Sequence, residues 1–281
     1  MRKISYAQNL EDIMLYRAFE SIGNGFYVDI GANHPTKDSV TKLFYENGWT
    51  GINVEPEEEY FKLLKSEREA DININAAITS IGEQVELFVS DVRGWSTTDK
   101  NSLSGLEEKG SLRAKKIVPA MSLDKLFDKY VEQDVHFLKI DVEGAEKDVL
   151  ESFSFERVRP WVIVVEATKP TTKIDVSHTW EGILTRHNYT FVYFDGLNKF
   201  YVAQERPELS TYFSVPPNVF DDFIRIEEHS AIIEIDLLSK KLEQEKMKVN
   251  MAEVRLQDIL NSNSWKITAP IRYLISKFKG A

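Results

Sequence analysis

The feature that most constrains this chain is a regular alternation of short apolar runs with amphipathic helical segments, from about residue 11 to about residue 202. Runs such as FYVDI, GINV, FLKI and WVIVVE match strands buried on both faces, and segments such as EDIMLYRAFE have helical spacing. Such alternation is typical of an open sheet covered by helices. We therefore predict an α/β fold with a doubly wound, mostly parallel, seven-stranded Rossmann-like sheet, whose last two strands form a hairpin with an antiparallel edge strand.

Composition narrows the function classes. The 281 residues provide room for one sizeable domain and an appendage. The chain has no cysteine, which excludes disulfides and thiolate chemistry, and its formal net charge of −10 argues against a nucleic-acid partner. No apolar run is long enough for a transmembrane helix, and Gln8, Glu11 and Asp12 interrupt any signal-peptide core. We therefore expect a cytoplasmic protein.

A different pattern follows the stretch YFSVPPNVFDDF, in which two prolines end the alternation. Apolar residues then recur at alternating spacings of three and four, which predicts a coiled coil and a homo-oligomer, with Glu245 as the misfit. An amphipathic helix packed on its own domain is the alternative, although the proline break favours the coiled coil. We predict a globular domain over residues 1–222, a coiled-coil helix over 223–262 and a basic amphipathic tail over 263–281. The predicted seam residues are Ile235, Leu238, Leu242, Val249, Ala252, Leu256 and Ile259.

The tail carries Lys266, Arg272, Lys277 and Lys279 with no acidic residue among them, and apolar residues lie between these cations. A basic amphipathic segment on an acidic protein indicates contact with an anionic membrane surface or with a partner protein. The alternatives are a helix that covers a patch of the core and a linker. The first interpretation predicts peripheral association with the inner face of the cell membrane.

The segment FYVDIGANHP contains the first chemical motif, a strand that ends in an acid and a single-glycine turn. A dinucleotide fingerprint needs three glycines so that the backbone can approach a pyrophosphate, whereas Gly31 stands alone. This difference disfavours a nicotinamide-dependent oxidoreductase. Asp29, at the strand end, suits a cationic group of a ligand instead.

The next two strands also end in residues that suit a nucleoside. Glu55 lies where a carboxylate accepts ribose hydroxyls in doubly wound folds, although an acid before a proline is also an ordinary strand end. Asn75 and Ala76 follow the third strand, where they would border an adenine edge. The combination indicates S-adenosylmethionine. The predicted cofactor-binding residues are Asp29, Gly31, Ala32, Asn33, His34, Glu55, Asn75 and Ala76.

The segment FLKIDVEGAE directs apolar residues into the core and then places Asp141, Glu143 and Glu146 at the strand exit. These acids either face the amino end of a helix, where the dipole favours them, or form a catalytic rim at the carboxyl edge of the sheet. Glu166 ends the next apolar run and would share that edge.

With these motifs established, the chain resembles the FkbM-type methyltransferases, which have the class I S-adenosylmethionine-dependent fold. The resemblance covers about residues 5–203 and includes the ordered blocks SYAQNLEDIML, FYVDIGANHP, DSVTKLFYENGWTGINVEP, GWSTTD, FLKIDVEGAE, VVEAT and FVYFDGLNKFYV. It implies a class I methyltransferase domain over residues 1–222. It also implies that Asp29, Gly31, Asn33, Glu55 and Asn75 bind S-adenosylmethionine.

The family is similar to O-methyltransferases that act on sugars, including those of surface polysaccharides, so the expected acceptor is a sugar hydroxyl. The SWKITAPIR tail and the coiled coil look like those of bacterial polysaccharide-assembly enzymes. A non-catalytic Rossmann-like domain, whose coiled coil organises a glycan-assembly complex, is the alternative.

A sugar hydroxyl must lose its proton to accept a methyl group, which calls for a general base or a bound metal. The candidate catalytic residues are Asp141, Glu143, Glu166 and His178, and His178 could instead cap a helix. Asp141 and Glu166 could bind Mg²⁺ or a similar hard cation. Two carboxylates form an incomplete ligand set, which favours the metal-free alternative, with one carboxylate as base and the others binding sugar hydroxyls.

Overall fold

The computed structural model describes residues 2–170 and 172–279. The chain separates into two compact units, Met1–Arg225 and Ile226–Ala281. The change of unit falls close to the domain boundary expected after residue 222. The functional labels attached to the three predicted parts stay predictions.

The first unit contains all the strands and most of the helices of the described chain. Its strands are β1 Lys3–Ser5, β2 Phe26–Ile30, β3 Thr50–Val54, β4 Ile72–Ile74, β5 Ala77–Ile78, β6 Gln84–Ser90, β7 Leu112–Met121, β8 Phe137–Ile140, β9 Val162–Glu166, β10 Tyr189–Phe194, β11 Asn198–Ala203 and β12 Phe223–Arg225. Its α-helices are α1 Glu11–Phe19, α2 Lys42–Glu46, α3 Glu58–Glu67, α4 Lys100–Glu108, α5 Leu123–Tyr130, α6 Glu146–Glu151 and α7 Glu181–Arg186.

The central sheet has seven strands, the number that the sequence predicts, and their order is β10-β11-β9-β8-β2-β3-β4. The pairings from β9 through β8, β2 and β3 to β4 are all parallel. Strand β11 is antiparallel to both of its neighbours, so the sheet is mixed. The predicted hairpin is confirmed, but its antiparallel strand lies one place in from the edge, because β11 folds back between β10 and β9.

Two separate apolar clusters cover the two faces of this sheet. Val28 and Ile30 of β2 face one cluster together with side chains of α5, α6 and α7, whereas Tyr27 faces the other with side chains of α1 and α2. The same alternation separates Leu138 from Phe137 in β8. Because helices bury apolar side chains on both faces, the doubly wound architecture is confirmed.

Two smaller sheets complete the first unit. Strand β7 pairs parallel with β5 and antiparallel with the longer β6, and these three strands form one sheet. Strand β1 pairs parallel with β12, so the beginning of the unit is joined to its end. The sequence patterns did not predict β7, because its apolar and charged residues do not form one of the fully buried runs.

The second unit consists of helices: α8 Ile226–Asn261, α9 Asn263–Ile267 and α10 Ala269–Lys279. Helix α8 has 36 residues, none of which is buried. Ser262 caps α9 by accepting a hydrogen bond from the backbone N–H of Trp265. A helix is therefore present where one was predicted, but its pairing as a coiled coil is not shown. Among the described helices, none is both long and apolar enough to cross a bilayer.

Candidate active site

A cavity of about 440 Å³ lies at the carboxyl ends of β2, β3, β4, β8 and β9. Parallel strands bring these ends to one edge of the sheet, where open α/β folds bind their ligands. Residues after each strand reach the cavity wall, together with the amino-terminal segment and the loop that follows β6. The wall includes Gly31, Glu55, Ala76, Asp141, Glu143 and Glu166.

The turn after β2 requires glycine at position 31. Gly31 has φ of +79°, and a Cβ atom there would lie 1.8 Å from the backbone oxygen of Asp141. Asn33 is also left-handed, with φ of 51°, and its backbone N–H donates to Glu55 Oε2 at 2.8 Å. Glycine and asparagine tolerate this conformation best. The turn therefore lies close against β8 and is tied to the end of β3.

Glu55 is held in place by backbone hydrogen bonds to both carboxylate oxygens. Its Oε1 accepts from the N–H of Glu57 at 2.7 Å, and its Oε2 accepts from Asn33. Burial raises the pKa of Glu55 to about 7, although these two hydrogen bonds oppose the increase. Each oxygen keeps a second lone pair, so the carboxylate can still accept hydroxyl donors from the cavity.

The structure does not bring Asp29 to the cavity wall. Asp29 and Lys139 are register partners on adjacent parallel strands, and Asp29 Oδ1 lies 3.5 Å from Lys139 Nζ. Thr41 Oγ1 donates weakly to the other oxygen at 3.4 Å. Burial raises the pKa of Asp29, and the charge of Lys139 opposes that increase. Asp29 therefore contacts the protein interior, because its carboxylate pairs with Lys139 on the neighbouring strand.

Two further predicted cofactor residues order the backbone instead of lining the cavity. The Asn75 amide donates to the backbone oxygens of Glu55 and Pro56, at 2.8 and 3.1 Å. His34 Nδ1 accepts from the N–H groups of Thr36 and Lys37, both at 3.1 Å. Of the predicted cofactor-binding residues, the wall includes Gly31, Ala32, Asn33, Glu55 and Ala76.

The predicted acidic rim forms one cluster. Asp141, Glu143 and Glu166 each offer a carboxylate oxygen, and these atoms all lie within 4.8 Å of one another. Burial, reinforced by the charge of Asp141, raises the pKa of Glu143 to about 9 and that of Glu166 to about 11. Glu143 is left-handed, with φ of 58°, and Gly144 continues the turn with φ of 106°. This backbone turn directs Glu143 towards the other two acids.

Glu146, the third acid of the FLKIDVEGAE segment, supports the rim without lining the cavity. Its Oε1 accepts from the backbone N–H groups of Val142 and Gly144, at 3.2 and 3.0 Å. Burial raises its pKa to about 7, while the bond from Gly144 opposes the change. One acid of the segment therefore secures the loop at the start of α6 and two others face the cavity, whereas their catalytic role stays a prediction.

Lys139 is a site residue that sequence reasoning missed. Its ammonium lies between two acids, 3.5 Å from Asp29 and 3.2 Å from Asp141 Oδ2. Burial alone would lower the pKa of Lys139, but the carboxylates of Asp141 and Asp29 raise it above its usual range. Lys139 therefore stays charged at neutral pH and is no general base. The signal in the sequence was a lysine inside an otherwise apolar buried strand.

The structure does not bring His178 to the cavity. His178 is exposed on a short 3₁₀ helix, Ser177–Thr179, whose buried member is Ser177, and Trp180 packs into the core directly after it. The structure therefore does not place His178 with the other candidate catalytic residues, and its role as a base stays a prediction. Its neighbours Ser177 and Trp180 are the buried residues of this turn.

The amino-terminal segment contributes Gln8 and Glu11 to the wall. Glu11 Oε1 accepts from the Asn198 amide at 2.7 Å, which ties the start of α1 to β11. Burial and the charge of Asp195 raise the pKa of Glu11 to about 8. Asp12 is buried and instead binds the preceding backbone, accepting from the N–H of Tyr6 at 2.7 Å. Glu11 therefore faces the cavity, whereas its neighbour Asp12 binds the backbone. Helical spacing in the sequence does not distinguish these two roles.

The GWSTTD block lies in the loop after β6 and lines the cavity with Trp95 and Ser96. Ser96 Oγ donates to Glu57 Oε2 at 2.9 Å and accepts from the N–H of Ser90 at 3.0 Å. Glu57 also binds Arg113 of β7 at 3.0 Å. The small sheet and the loop are therefore joined to the end of β3 beside Glu55.

This combination of fold and cavity defines the class: an open, mostly parallel α/β protein with a cavity at the carboxyl ends of the strands, where proteins of this class bind ligands. The family model described as the Methyltransferase FkbM domain matches residues 29–191, more than half of the chain. The chain belongs to this family, and the resemblance stated from its motifs is confirmed. Family membership supports methyl transfer as the class of activity.

Among solved structures, the chain is similar to the crystal structure of methyltransferase FkbM from Methylobacillus flagellatus KT, with 14% sequence identity and a TM-score of 0.39. The similarity covers 64% of this chain and 44% of that protein, so it spans less than half of the other molecule. A comparison with curated proteins found no match.

Proposed function

We propose that the chain is an S-adenosylmethionine-dependent O-methyltransferase that transfers a methyl group to a sugar hydroxyl of a bacterial surface polysaccharide or glycolipid precursor. The observation that carries this proposal is the cavity itself. Glu55 and the Gly31 turn lie on one part of its wall, and three carboxylates lie on another. One cavity can therefore hold a nucleoside-containing donor and a polyhydroxylated acceptor together.

The residues present fit the methyl donor. Gly31 keeps the turn free of a side chain, and Glu55 offers an ordered carboxylate to a pair of ribose hydroxyls. Ala76 lines the wall after β4, where an adenine edge would lie. When bound, S-adenosylmethionine supplies a methyl group on a positively charged sulfur. We assign Asp29 a positioning role, since it contacts Lys139 and does not line the wall.

The acidic cluster suits the acceptor side. Sugar hydroxyls donate hydrogen bonds to carboxylates, so Asp141, Glu143 and Glu166 can orient the attacking oxygen. The hydroxyl proton passes to the cluster as the oxygen–methyl bond forms and the methyl–sulfur bond breaks. Asp141 is the best-placed acceptor of that proton, because its side chain lines the cavity, is 34% exposed and is held in position by Lys139.

Calorimetry with S-adenosylmethionine tests the donor site directly. We expect binding in the micromolar range, and we expect Glu55→Ala to weaken it while the protein stays folded. Absence of binding by the wild-type chain would remove the enzyme proposal and favour the non-catalytic domain. Transfer of a radiolabelled methyl group to nucleotide sugars and lipid-linked glycans, with and without EDTA, then identifies the acceptor class.

We further propose that α8 pairs with a second copy as a coiled coil, and that α9 and α10 bind an anionic membrane surface. Support comes from the exposed heptad residues of α8 and from the exposed apolar residues Ile267, Ile271 and Phe278 interspersed with cations. Deleting residues 226–281 should leave a folded, donor-binding domain with a smaller sedimentation coefficient and no binding to anionic liposomes. Identical sedimentation and liposome binding in the truncated chain would refute both proposals.

A further inference from the structure

Three carboxylates lie together on one wall of the cavity, and few hydrogen-bond donors or cations lie next to them. Asp141 follows β8, Glu143 lies two residues later, and Glu166 ends β9, so the cluster depends on the parallel pairing of two strands. Among the described residues, no donor forms a hydrogen bond with the side-chain atom Glu166 Oε2, and neither Glu143 nor Glu166 has a cation as close as the one beside Asp141. Asp141 has Lys139 beside Oδ2 at 3.2 Å. Other buried acids at this edge, such as Glu55 and Glu146, are bound by backbone N–H groups.

Glu166 provides an independent sign that this cluster binds a ligand. Its side chain is 7% exposed and lines the cavity, and its Oε2 atom is buried without a hydrogen-bond partner in the described chain. A buried, unpaired carboxylate oxygen is unfavourable unless a cation or a donor compensates it. Residues 2–170 and 172–279 provide no hydrogen-bond partner for Glu166 Oε2, so we infer that a group bound in the cavity compensates it.

The three carboxylates, and the spacing of their oxygen atoms, suit a hard divalent cation. All three side chains offer oxygen, with neither histidine nor cysteine among them, which favours Mg²⁺, Mn²⁺ or Ca²⁺. Metal–oxygen distances of about 2.1 to 2.6 Å place oxygens on opposite sides of such an ion about 4.2 to 5.2 Å apart. The three carboxylate oxygens all lie within 4.8 Å of one another, so they are close enough to bind the same ion.

We propose that Asp141, Glu143 and Glu166 together bind one divalent cation, which presents its remaining coordination positions to oxygen atoms of the acceptor. The sequence suggested only Asp141 and Glu166, and two ligands are too few. The turn at Glu143 and Gly144 adds the third. Lys139 contacts one oxygen of Asp141 and leaves the other available.

The role of the cation towards the acceptor rests on the proposed methyl transfer, whereas the cation site itself does not. If bound by these three acids, the cation would make a coordinated sugar hydroxyl more acidic and would fix the direction from which its oxygen attacks. The hydroxyl proton would pass to Asp141, as in the proposed function, or to water, and the oxygen would gain the methyl group as the methyl–sulfur bond breaks. An acceptor with two adjacent hydroxyls would occupy two coordination positions and bind in a single orientation.

Binding of Mn²⁺ alone to the full chain, after removal of metals with EDTA, tests the site by electron paramagnetic resonance. We expect saturable binding of a single ion per chain, with displacement by Mg²⁺. Glu166→Gln and Glu143→Gln should each weaken Mn²⁺ binding by about tenfold or more. Glu151→Gln is the matched control, because Glu151 is exposed on α6 and its change removes the same charge outside the cavity.

Two outcomes would overturn the proposal: no saturable Mn²⁺ binding by the wild-type chain, or unchanged affinity in both cluster variants. Circular dichroism checks that Glu166→Gln is folded. If Glu166→Gln does not fold, Glu143→Gln still tests the proposal, because Glu143 lies in a loop. Methyl transfer that EDTA leaves unchanged, with no bound Mn²⁺, would remove the cation and retain the proposed function. Mn²⁺ binding that both variants abolish would support the cation site even without methyl transfer.

Discussion

The two units of this chain differ in where their apolar side chains lie. In the first unit, strands β2, β8 and β9 are buried along their whole length, and two clusters cover the faces of the sheet. In the second unit, α8 has no buried residue, and Leu242 and Val249 are both 57% exposed. The first unit therefore has its own core, whereas α8 lacks the buried apolar face from which most helices in proteins gain their stability.

The largest expected effect is a loss of turnover from a substitution in the first unit, compared with no loss from the same chemical change in the second unit. Asp141→Asn should lower turnover about a thousandfold while sparing S-adenosylmethionine binding, because the change removes the proton acceptor and leaves the donor wall intact. Asp236→Asn, the same chemical change on α8, should leave turnover unchanged. Steady-state kinetics and calorimetry measure both. Near-normal turnover in Asp141→Asn would remove this residue from the mechanism.

The next effect concerns stability. Phe137 is fully buried and packs against the rings of Tyr27 and Phe44, so Phe137→Ala should lower the free energy of unfolding by about 3 to 5 kcal/mol. Leu242→Ala, in the predicted seam of α8, should leave the unfolding of the first unit unchanged and lower the oligomer mass. Urea titration and sedimentation measure the pair. A comparable loss of first-unit stability in Leu242→Ala would contradict the contrast between the units.

The smallest effect is a pH dependence within the first unit. Burial raises the pKa of Glu55 from 4.5 to about 7, with Glu57 adding to the increase and Lys139 opposing it. Ribose hydroxyls donate to the ionised carboxylate, so donor affinity should rise as the pH rises through about 7. The expected gain is about tenfold between pH 6 and pH 8.

Glu55→Gln should bind the donor more weakly and with little dependence on pH, because its amide does not titrate. Calorimetric titrations at the two pH values provide the comparison. A wild-type affinity that is the same at both values, or a dependence that persists in Glu55→Gln, would show that another group controls binding.

The contribution of Glu55 to the stability of the first unit changes with pH in the opposite direction to its contribution to binding. A buried carboxyl whose pKa is raised binds its proton more tightly in the folded chain, so its contribution to stability falls as the pH rises from 4.5 to about 7. Glu55 therefore favours ligand binding at the cost of fold stability above neutral pH. Bound S-adenosylmethionine would offset this loss of stability, because its ribose hydroxyls would donate hydrogen bonds to the ionised carboxylate.

Much of this architecture was predictable from local pattern. Continuous apolar runs identified the central strands, and the single glycine after β2 marked the turn that now contacts β8. Polar residues at successive strand ends indicated one shared edge, and Glu55, Asp141, Glu143 and Glu166 do line one cavity. These features follow from strand periodicity and from the allowed backbone conformations of glycine, both of which are local properties.

Only the tertiary structure decided which of these side chains face the ligand cavity. The register of β2 against β8 pairs Asp29 with Lys139, and the inward turn at Ser177 leaves His178 in solvent. Strand pairing and packing also bring Glu11 to Asn198, almost two hundred residues away. Such contacts depend on which strands become neighbours and in what register. That choice is made by the burial of the whole core, so no single segment of the sequence contains it.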